Sequence, residues 1–279
     1  MLIRQVDSTP DATRNKTAYT DCPSCGYKNA LAITQTSERT LYHCHAGCPQ
    51  ETLWRTLHSL DPFITPPRKV RPTNTRSSKR QLDSLWQRSQ PAPGTLVEAY
   101  LKKRRITGAI PDSLRYLSHH RHKPTGTSWP VMLAAIVDTE GRLCALHRTY
   151  LAFDGLAKAQ ALPQKMTLGA VGGLACHLAA PTGEIAVTEG IETGLSVQLA
   201  TGIPTWAALS AGGMRHLILP PLPQASLVTI AADADTIGIE SAKLAALRWK
   251  SEGRHVQILV PSRPGTDFND LLIAETLQC

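Results

Sequence analysis

EIAVTEGIETGLS, residues 184–196, is the stretch on which the reading of the fold turns. Residues 185–188 are apolar and partly β-branched, as in a buried strand, and residues 191–200 carry helical spacing. Between them stands Glu189-Gly190. The same alternation continues downstream. Strands are expected at 204–209, 227–232 and 256–260, a loop at 210–214, and a helix over 240–251. Strands that are apolar throughout, without polar alternation, point to a parallel sheet covered on both faces, an α/β fold.

Acids stand where these strands end. Glu189 follows the first, Asp233 and Asp235 close LVTIAADAD (227–235), and Asp267 and Asp270 lie in PGTDFNDLL (264–272) after the fourth. In a parallel sheet the carboxyl ends form the ligand crevice, so these segments converge there. Several hard oxygen ligands facing one volume are stable only when protonated or metal-bound, and Mg²⁺ suits them because it keeps waters that phosphates can replace. The alternative for Asp233 and Asp235 is helix capping.

The N-terminal part carries a different metal signature. Cys22-Pro-Ser-Cys25-Gly is followed by YHCHAGC (42–48), which holds Cys44 and ends in Cys48, with eighteen residues between Cys25 and Cys44. Two such pairs on tight turns close a tetrahedral zinc site. Gly26 and Gly47 supply the turn geometry, and short strands are expected at 30–34 and 40–44. The second pair has three residues between its cysteines, so His43 or His45 in place of Cys44 is the alternative to four thiolates. A site with four protein ligands is structural, and a helix over 49–60 packs Leu53, Trp54 and Leu57 against it.

The middle of the chain is basic. Arg68 to Lys123 holds fourteen Lys and Arg against three acids, within a chain of net charge +8. Residues 61–80 combine four prolines with six basic side chains, as in an extended tether that attracts DNA. From Gln81 helices resume. Thr95 caps the second with Glu98 three residues on, and strands follow at 131–137 and 143–151, a mixed α+β subdomain. Arg104, Arg105, Arg148 and Lys165 are candidates for a phosphate-binding wall facing the carboxylates, with ordinary surface positions as the alternative. Seven cysteines without a secretory leader imply metal or reduced thiols. Cys144, Cys176 and Cys279 are scattered. No apolar run spans a membrane, and the expected compartment is the cytoplasm.

Glu189-Gly190 and Asp233-Ala-Asp235 resemble the marks of the Toprim fold, a Rossmann-like parallel sheet. With CPSC…YHCHAGC, YLKKRR and PGTDFNDLL, the chain resembles the zinc-ribbon DNA primases of phages, plasmids and integrating elements. That resemblance implies a zinc ribbon at 1–60, a linker at 61–80, a basic subdomain at 81–180 and a Toprim domain at 181–279. It implies an enzyme that makes short RNA primers on single-stranded DNA from ribonucleoside triphosphates. Glu189, Asp233 and Asp235 would be catalytic and hold Mg²⁺, or Mn²⁺ in its place, with Asp267 and Asp270 on a second ion. Cys22, Cys25, Cys44 and Cys48 would hold structural Zn²⁺, and Arg104, Arg105, Arg148 and Lys165 would bind nucleotide and template. Two features depart from the family. Thr193 stands where primases often have Asp, with Glu192 one residue earlier. No helicase domain follows, so a separate replicative helicase is the expected partner. The rival readings are a Toprim nuclease and a non-catalytic zinc-ribbon protein that binds single-stranded DNA.

Overall fold

A computed structural model describes residues 16–35, 40–60 and 76–276. The chain divides into two compact units, Met1–Arg71 and Pro72–Cys279. Most of the expected tether, 61–75, and Cys279 lie outside the described residues.

The first unit holds three antiparallel strands, β1 (Lys16–Thr20), β2 (Leu31–Gln35) and β3 (Thr40–Cys44), in that order, then helix α1 (Gln50–Leu60). Its core is small: Cys22, Ala30, Leu31, Cys44, Leu53 and Leu57. Trp54, expected to pack with the two leucines, is only half-buried.

The second unit begins with α2 (Arg76–Gln87), five residues earlier than the expected start at Gln81. There follow β4 (Gln90–Pro91), α3 (Leu96–Lys103), β5 (Leu114–Arg121), β6 (Ser128–Val137), β7 (Leu143–Tyr150) and β8 (Lys165–Gly169). These five strands form one antiparallel sheet in the order β4-β5-β6-β7-β8. Thr95 caps α3 as expected, its Oγ1 accepting from the Val97 amide at 3.2 Å. Glu98 reaches back to the Gly94 amide at 2.5 Å, one residue before the cap.

Alternation gives this sheet two distinct faces. Met132, Ala134, Ile136 and Ala145 lie on one, packed with Tyr100 and Leu101 of α3 and with Ile191 and Leu195 further along the chain. Val131, Leu133, Leu146 and Tyr150 lie on the other, packed with Leu82 and Leu85 of α2.

The chain then builds a second sheet from β9 (Cys176–His177), β10 (Gly183–Thr188), α4 (Ile191–Thr201), β11 (Thr205–Ala207), α5 (Ala211–His216), β12 (Ala225–Ala231), α6 (Thr236–Ser251), β13 (His255–Leu259) and α7 (Phe268–Thr276). Strand order is β13-β12-β10-β11-β9. All pairs are parallel except the short β9, which pairs antiparallel with β11. Ile185, Val187, Val228 and Ile230 pack on one face with Met214 of α5 and Ala242, Ala245 and Trp249 of α6. Ala186 and Ala231 face Val197 and Phe268 on the other. The doubly covered parallel sheet is therefore present, with α5 in place of the expected loop at 210–214. No helix among the described residues is long and apolar enough to cross a membrane.

Candidate functional site

In the first unit the four cysteine sulfurs all lie within 4.8 Å of one another. Cys22 and Cys48 are 3.8 Å apart, as are Cys25 and Cys44. Zinc–sulfur bonds of about 2.3 Å arranged tetrahedrally give sulfur–sulfur edges of about 3.8 Å, so the set fits a structural zinc ion. Gly26 and Gly47 sit at φ +71° and +86°, which lets their amides turn back to the carbonyls of Cys22 and Cys44. His43 and His45 stand edge to face at 4.8 Å, both exposed, and are not in the cysteine set. Metal analysis of the purified protein is expected to find one zinc per chain, and a stoichiometry near zero in protein never exposed to chelator would refute the assignment.

In the second unit the acids gather at the carboxyl edge of the parallel sheet. Glu189 follows β10 and accepts from the Ala211 amide. Burial raises its pKa, and the neighbouring charge of Asp235 adds to the rise. Asp233 follows β12. Burial, then the charges of Glu189, Asp267 and Asp235, push its carboxyl up to about 7. Its Oδ1 is buried without a hydrogen-bond partner. Lys165 opposes both shifts, so its ammonium is felt in the crevice.

Two of these acids also cap helices. Asp235 Oδ1 accepts from the Gly238 amide at 2.7 Å, at the start of α6. Asp267 Oδ1 accepts from the amides of Asn269 and Asp270 at 2.7 and 3.0 Å, and Asp270 Oδ2 accepts from the Asp267 amide at 3.1 Å. Capping is thus true of Asp235 and uses one of its oxygens. Asp270 is exposed and belongs to the start of α7. The acids are less tightly drawn than the cysteines: among the described residues only the cysteine set brings three or more ligand atoms within 4.8 Å of one another. An orphaned, buried carboxylate oxygen amid like-charged hard donors fits a divalent cation that keeps part of its water shell.

The basic candidates separate by strand parity. Lys165 pairs with Thr149 across β7 and β8, and Thr167 with His147, which puts these four residues on the face that meets α3 and α4. Arg148 lies on the opposite face with Leu133 and Met166 as cross-strand neighbours. Its guanidinium donates to the Thr167 carbonyl at 3.1 Å and lies 3.2 Å from His120 Nε2. The structure therefore does not bring Arg148 to the carboxylates, because adjacent positions on a strand point to opposite sides. Arg104 caps α3, stacks its guanidinium 5.7 Å from the Tyr100 ring centre, and is partly buried. Arg105 is exposed, with φ +62°.

Glu192, noted in the sequence only as a departure, is the hub between the two sheets. It is buried on the first turn of α4. Its Oε1 accepts from the Tyr100 hydroxyl at 2.7 Å and pairs with Lys158 at 3.3 Å, and its Oε2 lies 3.8 Å from Lys165 Nζ. Burial alone would raise its pKa, but Lys165, Lys158 and Tyr100 outweigh burial and hold it well below the usual carboxylate range. Thr193, in the position of the family's aspartate, donates to Asp267 Oδ2 at 3.2 Å. Asn269 is fully buried and donates to the Arg104 carbonyl at 2.9 Å and to Ser196 Oγ at 3.0 Å, tying α7 to α3 and α4. Neither Lys158, Tyr100 nor Asn269 was singled out from sequence. Asn269→Ala is expected to cost roughly 2–3 kcal/mol, since it strands a carbonyl and a hydroxyl in the interior. Denaturant unfolding would show it as a lower midpoint at unchanged slope.

A parallel α/β sheet thus carries a glutamate and an Asp-x-Asp pair at its carboxyl edge, hard oxygen donors of the kind that suit a divalent cation. Residues 184–276 match the family model described as the Toprim domain, and this part of the chain is a Toprim domain. Residues 76–178 match a model described as a domain of unknown function, DUF7146. A comparison with curated protein sequences finds no match. Among solved structures, the chain is similar to a DNA primase domain from Pseudomonas aeruginosa, at 16% identity over 71% of this chain and 75% of that one, TM-score 0.48. It is similar to the zinc-binding and RNA polymerase domains of the Aquifex aeolicus primase, at 14% identity over 97% and 78%, TM-score 0.48. It is also similar to the primase fragment of the bacteriophage T7 primase-helicase protein, at 14% identity over 93% and 95%, TM-score 0.44.

Proposed function

We propose that the chain is a DNA primase, which synthesises short RNA primers on single-stranded DNA by metal-dependent nucleotidyl transfer. The observation that carries the reading is the crowding of Asp233 by Glu189, Asp235 and Asp267 at the edge of the Toprim sheet. Like charges held together in a half-dry crevice are costly unless a cation is their partner. The cysteine cluster and the basic composition from Arg68 to Lys123 add what a primase needs beyond the metal centre, a template-reading module and a grip on phosphate.

Glu189, Asp233 and Asp235 would hold the catalytic ion, with Asp267 and Asp270 on a second. Bound Mg²⁺ supplies a lowered pKa for the attacking 3′-hydroxyl and stabilises charge on the phosphoryl group and the leaving pyrophosphate. Lys165, with Lys158 and Arg104 behind it, would hold the triphosphate of the incoming ribonucleotide against the carboxylates. Arg148, on the opposite face of its sheet, and the exposed Arg105 remain candidates for template contact. Asp235 keeps its capping bond to Gly238, which fixes the orientation of its carboxylate. The partners implied are single-stranded DNA, ribonucleoside triphosphates and, at a fork, a replicative helicase.

An assay with unprimed single-stranded DNA, ribonucleoside triphosphates and Mg²⁺ tests the reading. Oligoribonucleotide products that vanish with chelator are expected. Template cleavage would instead identify a Toprim nuclease, and retention of DNA without chemistry an accessory binding protein.

A further inference from the structure

We propose that Glu192 is a positioning residue for the metal centre: it holds the Lys165 ammonium back from Glu189 and Asp233, which keeps those carboxylates open to a divalent cation. The inference rests on the metal-centre reading above.

Glu192 stands three residues beyond Glu189, on the first turn of α4, so one helix start presents both carboxyls. The Glu192 carboxylate is held from behind. Tyr100 of α3 donates to Oε1 at 2.7 Å and Lys158 approaches the same oxygen at 3.3 Å. Those partners are mostly buried, which fixes the carboxylate in place and leaves Oε2 to meet Lys165. Lys165 is of another kind. Its side chain is 41% exposed and it lies 3.8 Å from Oε2, a loose pair on a flexible four-carbon stem.

Lys165 opens β8 on the face turned toward α4, and its charge is felt at both Glu189 and Asp233. One ammonium is therefore shared between a fixed carboxylate on one side and a crowd of carboxylates on the other. A tethered cation has a high effective concentration at any site it can reach. Without Glu192, the strongest remaining pull on Lys165 is the acid cluster itself. The lysine would then neutralise the charges that a metal ion needs, as an internal competitor.

Non-additivity separates this role from simple electrostatics. By Coulomb's law alone, deleting Lys165 removes one positive charge and tightens cation binding by the same factor with or without Glu192. Positioning predicts a small gain where Glu192 holds the ammonium back and a large one where Glu192 is gone.

The experiment measures Mn²⁺ binding to the full-length, zinc-loaded protein by the electron paramagnetic resonance signal of free Mn²⁺, with no nucleotide present. Wild type is expected to bind. Glu192→Gln is expected to bind about tenfold more weakly, Lys165→Met alone to change affinity by less than about threefold, and the two combined to return to within about threefold of wild type. Equal binding by wild type and Glu192→Gln overturns the inference, as does a gain from Lys165→Met as large in wild type as in Glu192→Gln. Should Glu192→Gln fail to fold, Glu192→Asp keeps the charge and draws it back from Lys165 by roughly one carbon–carbon bond. A smaller loss of affinity is then expected, and unchanged affinity overturns the proposal. If wild type itself binds no Mn²⁺ beyond its zinc site, the metal-centre reading falls first and this inference with it. If wild type binds Mn²⁺ yet makes no primer, the primase reading falls and this inference stands.

Discussion

Asp233→Asn and Glu189→Gln are each expected to lower primer synthesis by on the order of a hundredfold or more while leaving the protein folded. Both changes keep shape and remove one charge from the crevice. Asp233 is the sharper case, because its carboxyl is both the most crowded and partly orphaned. The same crowding predicts a gain in stability. Its pKa of about 7 in the folded chain lies above the ordinary 3.8, so the folded state favours the protonated form. Stability therefore falls as pH rises through that window, and in metal-free buffer at pH 8 the variant should be more stable than wild type by on the order of 2–4 kcal/mol. The difference should shrink toward pH 4 and also when Mg²⁺ is added to wild type. Thermal melts across pH, run beside a priming assay, read both effects. An inactive variant with no stability gain would mean that the acids are not in mutual repulsion.

Cys22→Ser is expected to separate starting a chain from extending one. The first unit buries few side chains: two of its six core residues are the candidate ligands Cys22 and Cys44, with Cys25 and Cys48 packed against them. A structural zinc ion supplies about 10–16 kcal/mol of apparent binding energy to such a fold, so losing a ligand should unfold this unit while the second unit keeps its own core. Initiation must hold two free nucleotides and a template together with no duplex to help, whereas extension needs only a paired 3′ end at the metals. The variant should lose zinc, lose most synthesis on unprimed template, and still extend a supplied primer. Its binding to DNA should also depend less steeply on salt if the unfolded unit no longer presents its basic groups in order. Unchanged rates and start sites on unprimed template would show that the zinc unit does not read template.

The parallel sheet was legible because a doubly covered strand must be apolar along its whole length. Residues 185–188 and 227–232 carry that signature, and the acids at their ends needed only the rule that strand ends converge. What polar strands form was not legible. β5 reads LRYLSHHR and β8 reads KMTLG, half-exposed segments whose composition suits a surface turn as well as a strand. α5 stands where a loop is expected: the Gly212-Gly213 pair in AGGMRH disfavours a helix, yet Ser210 caps it with a 2.9 Å bond from the Gly213 amide.

The candidate site divides in the same way. Glu189, Asp233, Asp235 and Asp267 announce themselves by spacing. Arg148 did not come to the acids, because sequence gives the parity of a strand but not which face meets the next domain. Glu192, Tyr100 and Lys158 come from three separate segments, and only tertiary packing shows that they share one carboxylate. Asn269 lies inside a quoted motif, but its work is to bridge two helices, and nothing local to PGTDFNDLL reveals that.

The most direct test of the central claim is the release of pyrophosphate, counted against ribonucleotide incorporated, on unprimed single-stranded DNA across a Mg²⁺ titration. Nucleotidyl transfer predicts one pyrophosphate for each phosphodiester bond formed, one fewer than the nucleotides in each primer, rising with Mg²⁺ and absent with chelator or in Asp233→Asn. Cleaved template with no pyrophosphate, or bound template with no product at any Mg²⁺ concentration, would contradict it.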